Sequence, residues 1–576
     1  MNMKKLLTGN EAIARGAWEA GVVVCTAYPG TPSTEITENA AKYNEIYSEW
    51  SPNEKVALEV GLGASIAGGR TLVAMKHVGV NVAADPLFTL AYTGINGGLV
   101  LVSADDPGMH SSQNEQDNRH LGRAAKIPIF EPSDSQEAKD FTKLALEISE
   151  QFDTPVMLRI TTRIAHSQSL VEFNDREEKG LKEYKKNPHK YVMIPAYARQ
   201  RHLDLEKRLL ALKEYSDSCP LNRVEWHETK IGIITSGVAY QYVRETLPSA
   251  SVLKIGMSYP LPEKMIRDFA QKVDELYVIE ELDPFIEDQM KAWGIKTHGK
   301  DIFSNIGEIL PEIINEKMLK HTPALVTQDI PVRPPVLCPG CPHRALFYML
   351  KKLNLTVTGD IGCYTLGSLP PLNAMDTTIC MGASIGAAIG MEKARGKDFA
   401  RNLVAVIGDS TFIHSGITGL IDVVYNKATT TTIILDNRTT GMTGHQDNPA
   451  NGCTIKKEAN KEVNLELLAK AVGVERVAIV DPFNLAELEQ IMKAELAAEE
   501  PSVIIVKRKC VLIEKSKGTS CFVTSDCVGC MQCLKLGCPC IVKENKRVVI
   551  NSTQCVGCGL CQTVCTRHAI KKEGVQ

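Results

Sequence analysis

The sequence predicts a multidomain α/β protein, and three observations carry that prediction. The first is length, because 576 residues are too many to fold around one hydrophobic core. At roughly 100–200 residues per domain, the chain is expected to form three to five domains. The second is a series of nearly continuous apolar runs separated by helical patterns, such as LVAVIG, TTTIILD and PSVIIVK, which is typical of parallel strands covered on both faces. The third is a C-terminal stretch crowded with cysteines, which indicates a small separate domain.

The composition fits a globular protein and argues against two classes of function. Hydrophobic residues make up 44% and charged residues 23% of the chain, as in globular proteins. The net charge of −3 lacks the excess of basic residues that is typical of nucleic-acid-binding proteins. No apolar run reaches the roughly 18 residues of a membrane span, and the N-terminal residues do not resemble a signal peptide. Eighteen cysteines in such a chain favour reduced thiols and metal ligands over disulfides, so we expect a cytoplasmic protein.

Shifts in composition predict four domains. Residues 1–225 alternate helical patterns with apolar runs such as GLVLVSADD, and they end in a charged linker and a helix. Residues 226–330 repeat the strand–helix alternation of a small α/β domain. A proline-rich stretch then opens the third domain, residues 331–512, and a short linker leads to the cysteine-rich domain, residues 513–576.

The cysteine-rich domain holds two copies of one motif. The first copy, C-x2-C-x2-C-x4-C, comprises Cys527, Cys530, Cys533 and Cys538, and the second copy, C-x2-C-x2-C-x3-C, comprises Cys555, Cys558, Cys561 and Cys565. Zinc ribbons also use C-x2-C pairs, but they do not need three cysteines at successive x2 spacing twice over. The motifs resemble those of bacterial two-cluster ferredoxins, in which each [4Fe–4S] cluster takes three cysteines from one copy and the last cysteine of the other.

By that resemblance Cys565 completes the first cluster and Cys538 completes the second. The first copy has four residues before its last cysteine where three are usual, so Cys540 competes with Cys538 for that position. The proline that follows Cys538 favours Cys538. The tail therefore predicts electron transfer through two clusters.

Two strand ends in the third domain carry polar residues that suit a magnesium diphosphate site. Gly408, Asp409 and Ser410 follow the run LVAVI, and Asn437 follows the run TTTIIL one residue later. Sheets of this class place ligands at the carboxyl ends of parallel strands, and Mg²⁺ prefers oxygen ligands. The pattern resembles the GDG…NN signature of thiamine diphosphate enzymes, which implies Mg²⁺ ligands at Asp409, Asn437 and the Thr439 carbonyl.

Two further segments resemble the cofactor contacts of these enzymes. In MGASIGAAIG, the resemblance places Met381 beneath the thiazolium ring and Gly382 against the cofactor. The same enzymes need a glutamate that bonds the aminopyrimidine N1′ and so activates the cofactor. The stretch NEKVALEVGLGASIAGG places Glu54 at that position. Glu59 is the competing carboxylate, but the small residues that follow Glu54 suit a close approach of the cofactor.

Three residues in the first domain are predicted to meet the substrate. AYPGTPSTE resembles the YPITPSS motif of pyruvate:ferredoxin oxidoreductases, which implies that Thr31 contacts the carboxylate or carbonyl of a 2-oxoacid. By the same resemblance Arg119, in SSQNEQDNRH, clamps that carboxylate, a task that suits the planar guanidinium fork. His77 lies beside the proposed substrate loop in KHVGVNVAADP.

With the fused cluster domain, these motifs resemble one branch of the 2-oxoacid:ferredoxin oxidoreductases, the large (alpha) subunits of the indolepyruvate-oxidising enzymes. The resemblance implies pyrimidine and diphosphate domains of the thiamine fold with a transketolase C-terminal-like domain between them. It also implies a smaller beta subunit in a heterodimer or (αβ)₂ assembly, ferredoxin as electron acceptor and coenzyme A as co-substrate. The expected reaction converts indolepyruvate, phenylpyruvate or hydroxyphenylpyruvate to the aryl-acetyl-CoA and CO₂.

The resemblance also implies a third [4Fe–4S] cluster between the thiamine site and the ferredoxin-like domain. Its ligands would be Cys338 and Cys341 in CPGCP, Cys363 in DIGCY and Cys453 in NGCT, and buried metal-free cysteines are the alternative. Three other functions stay open: oxidation of another 2-oxoacid, decarboxylation without a redox step, and electron transfer without catalysis. The cluster tail argues against the second, and the presence of the activating glutamate and the metal-binding aspartate argues against the third.

Overall fold

The computed structural model describes residues 3–321, 331, 333–514 and 518–572 of the chain. The chain forms two compact units, Met1–Gln328 and Asp329–Gln576. The domain boundary predicted near residue 330 lies outside the described residues, as does part of the linker before the cysteine-rich domain. Within the described ranges, no helix is both long and apolar enough to cross a membrane.

The first unit contains a seven-stranded sheet that is parallel except at one edge. In spatial order its strands are Met257–Tyr259, Ile129–Phe130, Val156–Thr161, Leu99–Asp105, Thr71–Lys76, Val24–Ala27 and Tyr47–Trp50. The central strands are buried along their whole length, as expected of parallel strands covered on both faces. The helices of this domain are Gly9–Glu19, Thr34–Ala40, Glu54–Ile66, His77–Val82, Ala84–Thr93, Arg119–Ala125, Ser135–Phe152 and Thr162–His166.

A smaller four-stranded sheet completes the first unit. Its strands, in spatial order, are Glu275–Ile279, Glu228–Ser236, Ala250–Ile255 and Arg223–Glu225, and its helices are Ala239–Thr246, Glu263–Ala270, Phe285–Ala292 and Pro311–Leu319. An antiparallel ribbon of Lys4–Thr8 with Gln168–Glu172 and the helices Pro188–Tyr191 and Pro195–Ser216 account for the other elements. Arg223–Glu225 precedes the predicted boundary yet joins this sheet, whereas Met257–Tyr259 follows it and joins the larger one. The two α/β domains therefore exchange short strands near their junction.

The second unit contains a six-stranded, fully parallel sheet. Its strands, in spatial order, are Thr377–Thr378, Thr356–Gly359, Leu403–Gly408, Thr431–Asp436, Ser502–Lys507 and Arg476–Val480. Its α-helices are His343–Lys352, Ala383–Arg395, Lys397–Ala400, Asp409–Thr411, Ile417–Tyr425, Leu465–Ala471 and Leu485–Ala497, with a 3₁₀ turn at Cys363–Ser368 and a π turn at Phe412–Gly416. The three apolar runs that predicted parallel strands all form strands of this sheet, so the α/β class is confirmed.

The cysteine-rich domain of the second unit is small and has little regular structure. Two antiparallel pairs, Cys521–Val523 with Ile570–Lys572 and Ile541–Glu544 with Arg547–Ile550, accompany a 3₁₀ turn at Gln532–Leu536 and a short helix at Leu560–Thr563. Cysteines and aliphatic side chains together form its buried core. A domain this small has few apolar side chains to bury, and its cysteines make up a large part of its core.

Candidate active site and cysteine centres

Glu54 is the first residue of the helix Glu54–Ile66 and is buried. The Asn53 side chain caps this helix by accepting a backbone N–H hydrogen bond 2.9 Å long from its first turn. The Glu54 side chain lies against Gly79, where a Cβ atom would come within 2.7 Å of its Cγ and Oε1. Glu59, the competing carboxylate, is exposed and forms an ion pair with a lysine one turn earlier. Of the two glutamates, only Glu54 has the enclosed environment that suits a proton-sharing carboxylate.

Lys76 and His77 stand where the strand Thr71–Lys76 passes into a helix. His77 is fully buried, and its Nε2 lies 3.2 Å from the Asn114 Oδ1. The Lys76 Nζ donates to the Ser111 carbonyl oxygen at 2.7 Å. Burial lowers the pKa of Lys76 to about 8, against the opposing charge of a nearby aspartate. Sequence reasoning singled out only the histidine, because no motif marks the lysine before it.

Thr31 lies in the loop that faces this lysine. A Cβ atom at Gly30 would lie 3.0 Å from the Lys76 Cβ, so the two backbones approach closely. The Ser111 Oγ donates to the Thr31 carbonyl oxygen at 3.4 Å. The structure therefore brings Thr31, Lys76 and the neighbouring histidine to one edge of the larger sheet, at the carboxyl ends of adjacent parallel strands.

Arg119 is placed differently from the prediction that it clamps a substrate carboxylate. Its side chain is 1% exposed, and it donates to the Asp117 carboxylate at 2.5–3.0 Å and to Glu280 Oε2 at 2.6 Å. Its Nη2 also donates to the carbonyl oxygens of Glu281 and Asp283, at 3.0 and 3.1 Å. Because two buried carboxylates already neutralise Arg119, these contacts favour a role in joining the two sheets of the first unit.

Asp409 and Asn437 follow neighbouring strands of the six-stranded sheet. Asp409 Oδ2 accepts the Arg438 backbone N–H at 3.0 Å, and Asn437 Oδ1 accepts the Thr439 backbone N–H at 3.2 Å. Burial and the charge of Asp436 raise the pKa of Asp409 to about 8. Among the described residues, Asp436 Oδ1 is buried without a hydrogen-bond partner. Two buried carboxylates with an unsatisfied oxygen suit a divalent cation, so the residues fit Mg²⁺.

Side-chain hydrogen bonds orient the other polar groups of this sheet edge. Asn437 Nδ2 donates to His343 Nε2 at 3.3 Å. Burial lowers the pKa of His343 to about 4, so the ring is neutral at pH 7 and able to accept. Thr440 Oγ1 donates to Ser410 Oγ at 3.0 Å. Because His343 holds the amide nitrogen, the amide oxygen of Asn437 is turned toward the loop that carries Thr439.

The Met381–Gly382 segment is held at the start of the helix Ala383–Arg395. The buried carboxylate of Asp360 accepts the backbone N–H groups of Gly382 and Ser384, at 2.8 and 3.0 Å. Gly382 has φ +86°, and a Cβ atom there would lie 2.5 Å from the Cβ of Ser415. Both the backbone angle and the close approach require glycine at this position.

The cysteine-rich domain contains two cavities lined by thiols. The cysteines of the first cavity are Cys527, Cys530, Cys533 and Cys565, and those of the second are Cys521, Cys538, Cys540, Cys555, Cys558 and Cys561. The last cysteine of each motif thus lies with the other copy, as two interleaved [4Fe–4S] clusters need. Cys538 and Cys540 both line the second cavity, together with Cys521, which belongs to no motif. The thiols present fit two clusters.

A third group of cysteines lies in the diphosphate domain. Burial raises the pKa of Cys341 to about 12, and the nearby thiols of Cys338 and Cys363 contribute to that rise. Burial also raises the pKa of Cys363 to about 11, with contributions from Cys510 and Cys338. Thiols that perturb one another in this way are close neighbours. The structure therefore groups Cys338, Cys341 and Cys363 with Cys510.

Cys453, predicted as the fourth member of this group, is not brought to it. Its thiol adjoins an aspartate and a lysine of its own loop, and its backbone forms an isolated bridge with Ala459. Cys510 instead follows the strand Ser502–Lys507, and its backbone N–H donates to the Asn437 carbonyl oxygen at 3.0 Å. That bond ties Cys510 to the strand end that carries the predicted metal ligands, which is why it reaches the group and Cys453 does not.

Arg344 connects this group to the cysteine-rich domain. Its guanidinium is 2% exposed and donates to four backbone carbonyl oxygens, those of Leu337, Cys338, Leu536 and Gly537. Leu337 immediately precedes the CPGC loop and Cys338 begins it, whereas Leu536 and Gly537 immediately precede Cys538. Within the described ranges no carboxylate forms an ion pair with Arg344. A buried cation needs a counter-charge, and clusters ligated by thiolates would supply it.

Three family descriptions match the sequence. They are "Pyruvate flavodoxin/ferredoxin oxidoreductase, thiamine diP-bdg" over residues 15–207, "Thiamine pyrophosphate enzyme, C-terminal TPP binding domain" over residues 360–506, and "4Fe-4S binding domain" over residues 548–571. The first covers the domain of Glu54, the second covers the diphosphate strand ends, and the third covers the second cysteine motif.

Relatives resemble the chain over nearly its whole length. It is 42% identical to the indolepyruvate oxidoreductase subunit IorA of Archaeoglobus fulgidus, over 99% of this chain and 97% of that one. It is 40% identical to the IorA subunit of Pyrococcus abyssi, over 98% and 96% of the two chains. A solved 2-oxoglutarate:ferredoxin oxidoreductase from Magnetococcus marinus matches 55% of this chain and 65% of its own, at 17% identity and a TM-score of 0.47.

Proposed function

Because the chain belongs to the family of the indolepyruvate oxidoreductase subunit IorA, within the 2-oxoacid:ferredoxin oxidoreductases, we propose that it oxidises aryl pyruvates. The thiamine diphosphate domains and the ferredoxin-type domain make it a thiamine-dependent ferredoxin oxidoreductase. The proposed reaction converts one 2-oxoacid, one coenzyme A and two oxidised ferredoxins to aryl-acetyl-CoA, CO₂, one proton and two reduced ferredoxins. Indolepyruvate, phenylpyruvate and hydroxyphenylpyruvate are the proposed substrates.

The observation that carries the proposal is that one unit holds both a diphosphate-type strand edge and three groups of cysteines. A thiamine enzyme without a redox step needs no such groups, and an electron carrier without catalysis needs no buried carboxylates at strand ends. Arg344 connects the cysteines of the diphosphate domain to those of the second ferredoxin-type cavity. The arrangement supports chemistry and electron removal by the same chain.

The proposed chemistry divides among the residues as follows. Bound thiamine diphosphate supplies the carbanion chemistry that breaks the bond between the carboxylate and the 2-oxo carbon. Glu54 holds a proton at the aminopyrimidine N1′, and its burial keeps water from competing for that proton. Asp409, Asn437 and the Thr439 carbonyl would hold Mg²⁺, which would neutralise the diphosphate charge, and Met381 would contact the bound cofactor.

Substrate binding is assigned to the loop edge of the larger sheet. Thr31 and His77 remain the proposed polar contacts, and Lys76 is added because its ammonium lies beside the Thr31 loop. A cation is needed there, since the Arg119 charge is already compensated by two buried carboxylates. A smaller beta subunit, in a heterodimer or (αβ)₂ assembly, and coenzyme A complete the proposed system.

Three [4Fe–4S] clusters are proposed, in a fixed order. Cys338, Cys341, Cys363 and Cys510 hold the cluster of the diphosphate domain. The second ferredoxin-type cavity comes next, because Pro339, Gly340 and Arg344 of the CPGC region line it together with its cysteines. The first cavity, with Cys527 and its partners, comes last.

The substrate proposal is tested by anaerobic ferredoxin reduction with the chain and its beta subunit produced together. The assay compares the three aryl pyruvates with pyruvate and 2-oxoglutarate. We expect kcat/KM for the aryl pyruvates to exceed that for pyruvate by roughly a hundredfold, because an apolar site gains several kcal/mol from an aromatic ring. Release of CO₂ without reduction of ferredoxin would instead identify a decarboxylase, and a preference for 2-oxoglutarate would reassign the substrate.

Cys538 and Cys540 can be separated by single replacements. We expect Cys538→Ser to remove one cluster, about four of about twelve iron atoms per chain, because the Cys-Pro context matches the ligand position of two-cluster ferredoxins. Cys540→Ser should keep all of them, since a buried thiol that does not bind iron contributes only packing. Iron per chain and the EPR spectrum of the reduced protein measure both variants. The reverse pattern would assign the ligand to Cys540.

A further inference from the structure

The two ferredoxin-type cavities differ in their surroundings. The second cavity is lined in part by the CPGC region of the diphosphate domain, as described above. The first cavity is lined by residues of the cysteine-rich domain alone. Near it, Cys530 is exposed and Val528 is 63% exposed. Of the two, the first cavity is therefore the one from which an electron can leave the second unit.

A surface groove of about 1180 Å³ opens beside the first cavity. Its walls are the helices His343–Lys352 and Leu485–Ala497 on one side and the loops that carry Cys530 and Arg567 on the other. Cys530 and Arg567 line both the groove and the cavity. A partner seated in the groove would therefore touch the ligand shell of the cluster directly.

The cysteine-rich domain is strongly basic, unlike the chain as a whole. Between residues 518 and 572 there are seven lysines and arginines but only two acidic residues, Asp526 and Glu544, which leaves five positive charges. The hairpin that carries Lys546 packs on the loop of the first cavity, since a Cβ atom at Gly529 would lie 2.2 Å from the Lys546 carbonyl oxygen. Among the described residues, no carboxylate forms an ion pair with Lys546 or Arg567.

The opposite wall of the groove is close to neutral, because its two charged lining residues, Lys352 and Glu489, form an ion pair. Lys352 and Lys493 share one carboxylate, that of Glu489, at 2.6 and 2.8 Å. The positive charge around Cys530 is therefore not balanced by the helices that face it. A groove with this field attracts an anionic partner from a distance and orients it before contact.

We propose that this groove is the docking site for the external electron acceptor and that the acceptor is a small acidic ferredoxin. The proposal rests on the ferredoxin-reducing function proposed above and adds the place and the charge of the partner. In each encounter one electron passes from the reduced cluster of the first cavity to one oxidised cluster of the ferredoxin. Two encounters return the chain to its starting state for each 2-oxoacid oxidised, and no proton or atom moves in these steps.

The experiment reverses charge at the groove of the assembled enzyme, at Arg567, which lines it, and at Lys546 on the hairpin packed against the loop of the first cavity. The double variant Lys546→Glu/Arg567→Glu is compared with the wild type, using a purified ferredoxin of net negative charge and a small viologen dye as alternative acceptors. The dye reports the chemistry and the internal clusters, whereas the ferredoxin also reports docking. We expect the ratio of ferredoxin kcat/KM to dye kcat/KM to fall by at least about tenfold at low salt. The salt dependence of the ferredoxin reaction should flatten as well.

Lys571→Glu is the matched control for Arg567→Glu, which is measured alone as well as in the double variant. Both single replacements make the same charge change in the same domain, and of the two residues only Arg567 lines the groove. We expect the ratio for Lys571→Glu to stay within about twofold of wild type. An equal loss in the control, or an unchanged ratio in the double variant, would overturn the docking site. Release of the beta subunit from the double variant on gel filtration would also overturn it, because the groove would then be a subunit interface. If the wild-type enzyme did not reduce the dye with any of the 2-oxoacids, that result would instead contradict the proposed function.

Discussion

Replacing Glu54 by glutamine is expected to lower the rate of ferredoxin reduction by at least about a hundredfold. A positioned acid–base group contributes roughly 10²–10⁴ in rate, and an amide cannot share its proton with the aminopyrimidine N1′ in the same way. The structure supports this choice of residue, because the side chain is 5% exposed and is packed against a glycine that leaves it just enough room. Steady-state kinetics under anaerobic conditions, with thiamine diphosphate content measured on the same sample, provide the test.

The same helix offers the control. Glu59 is exposed and pairs with Lys55, and a surface ion pair of this kind contributes about 1 kcal/mol or less to stability. Glu59→Gln should therefore leave turnover within about twofold of wild type. If Glu54→Gln kept more than a tenth of the activity, or if Glu59→Gln lost as much, the activating carboxylate would have to be sought elsewhere.

The second large effect is expected at Cys510. Cys510→Ser should lower the iron content from about twelve to about eight atoms per chain and abolish electron delivery to ferredoxin, since the chain would lose the cluster nearest the chemistry. Cys453→Ser should keep about twelve, because that thiol lies in its own loop beside Asp447 and Lys457. Iron analysis and EPR of the reduced protein distinguish the two, and release of CO₂ from the 2-oxoacid shows whether the chemistry before electron removal persists.

The opposite result would support the ligand set implied by the family resemblance, in which Cys453 is the fourth ligand. If Cys453→Ser lost four iron atoms and Cys510→Ser lost none, the fourth ligand would be Cys453 and its loop would have to refold on cluster binding. If neither variant changed the iron content, the diphosphate domain would hold no cluster, and its buried cysteines would be packing residues. Each outcome gives a different pattern of iron content across the wild type and the two variants, so iron analysis of the three proteins decides among them.

The sequence was sufficient for the fold class and for those elements whose apolar residues are continuous. The runs around Val404, Ile433 and Ile504 form central strands because parallel strands buried on both faces need unbroken apolar sequence. The exchange of short strands between the two α/β domains was not predictable, because Met257–Tyr259 and Arg223–Glu225 are too short to show any periodicity. Their places depend on tertiary pairing alone.

The candidate site was predictable where local motifs decide it and not where distant residues do. Glu54 could be separated from Glu59 by the small residues around it, since those residues set how closely another group can approach. The burial and pairing of Arg119 depend on Glu280, which follows a strand of the smaller sheet and lies 161 residues away in sequence. Cys510 stands alone after a strand without a second cysteine at motif spacing, so only the folded sheet shows that it joins the group at Cys338.

Arg344 has a consequence for how electrons travel in this chain. A carrier domain on a flexible tether must diffuse back to its donor for every electron, so its turnover slows in proportion to the viscosity of the solvent. Here one buried guanidinium holds Leu337 and Cys338 of the donor side and Leu536 and Gly537 of the carrier side at the same time. With clusters bound at both centres, the proposed electron transfer between them would take place at a fixed separation, and glycerol should slow only the encounter with the external acceptor.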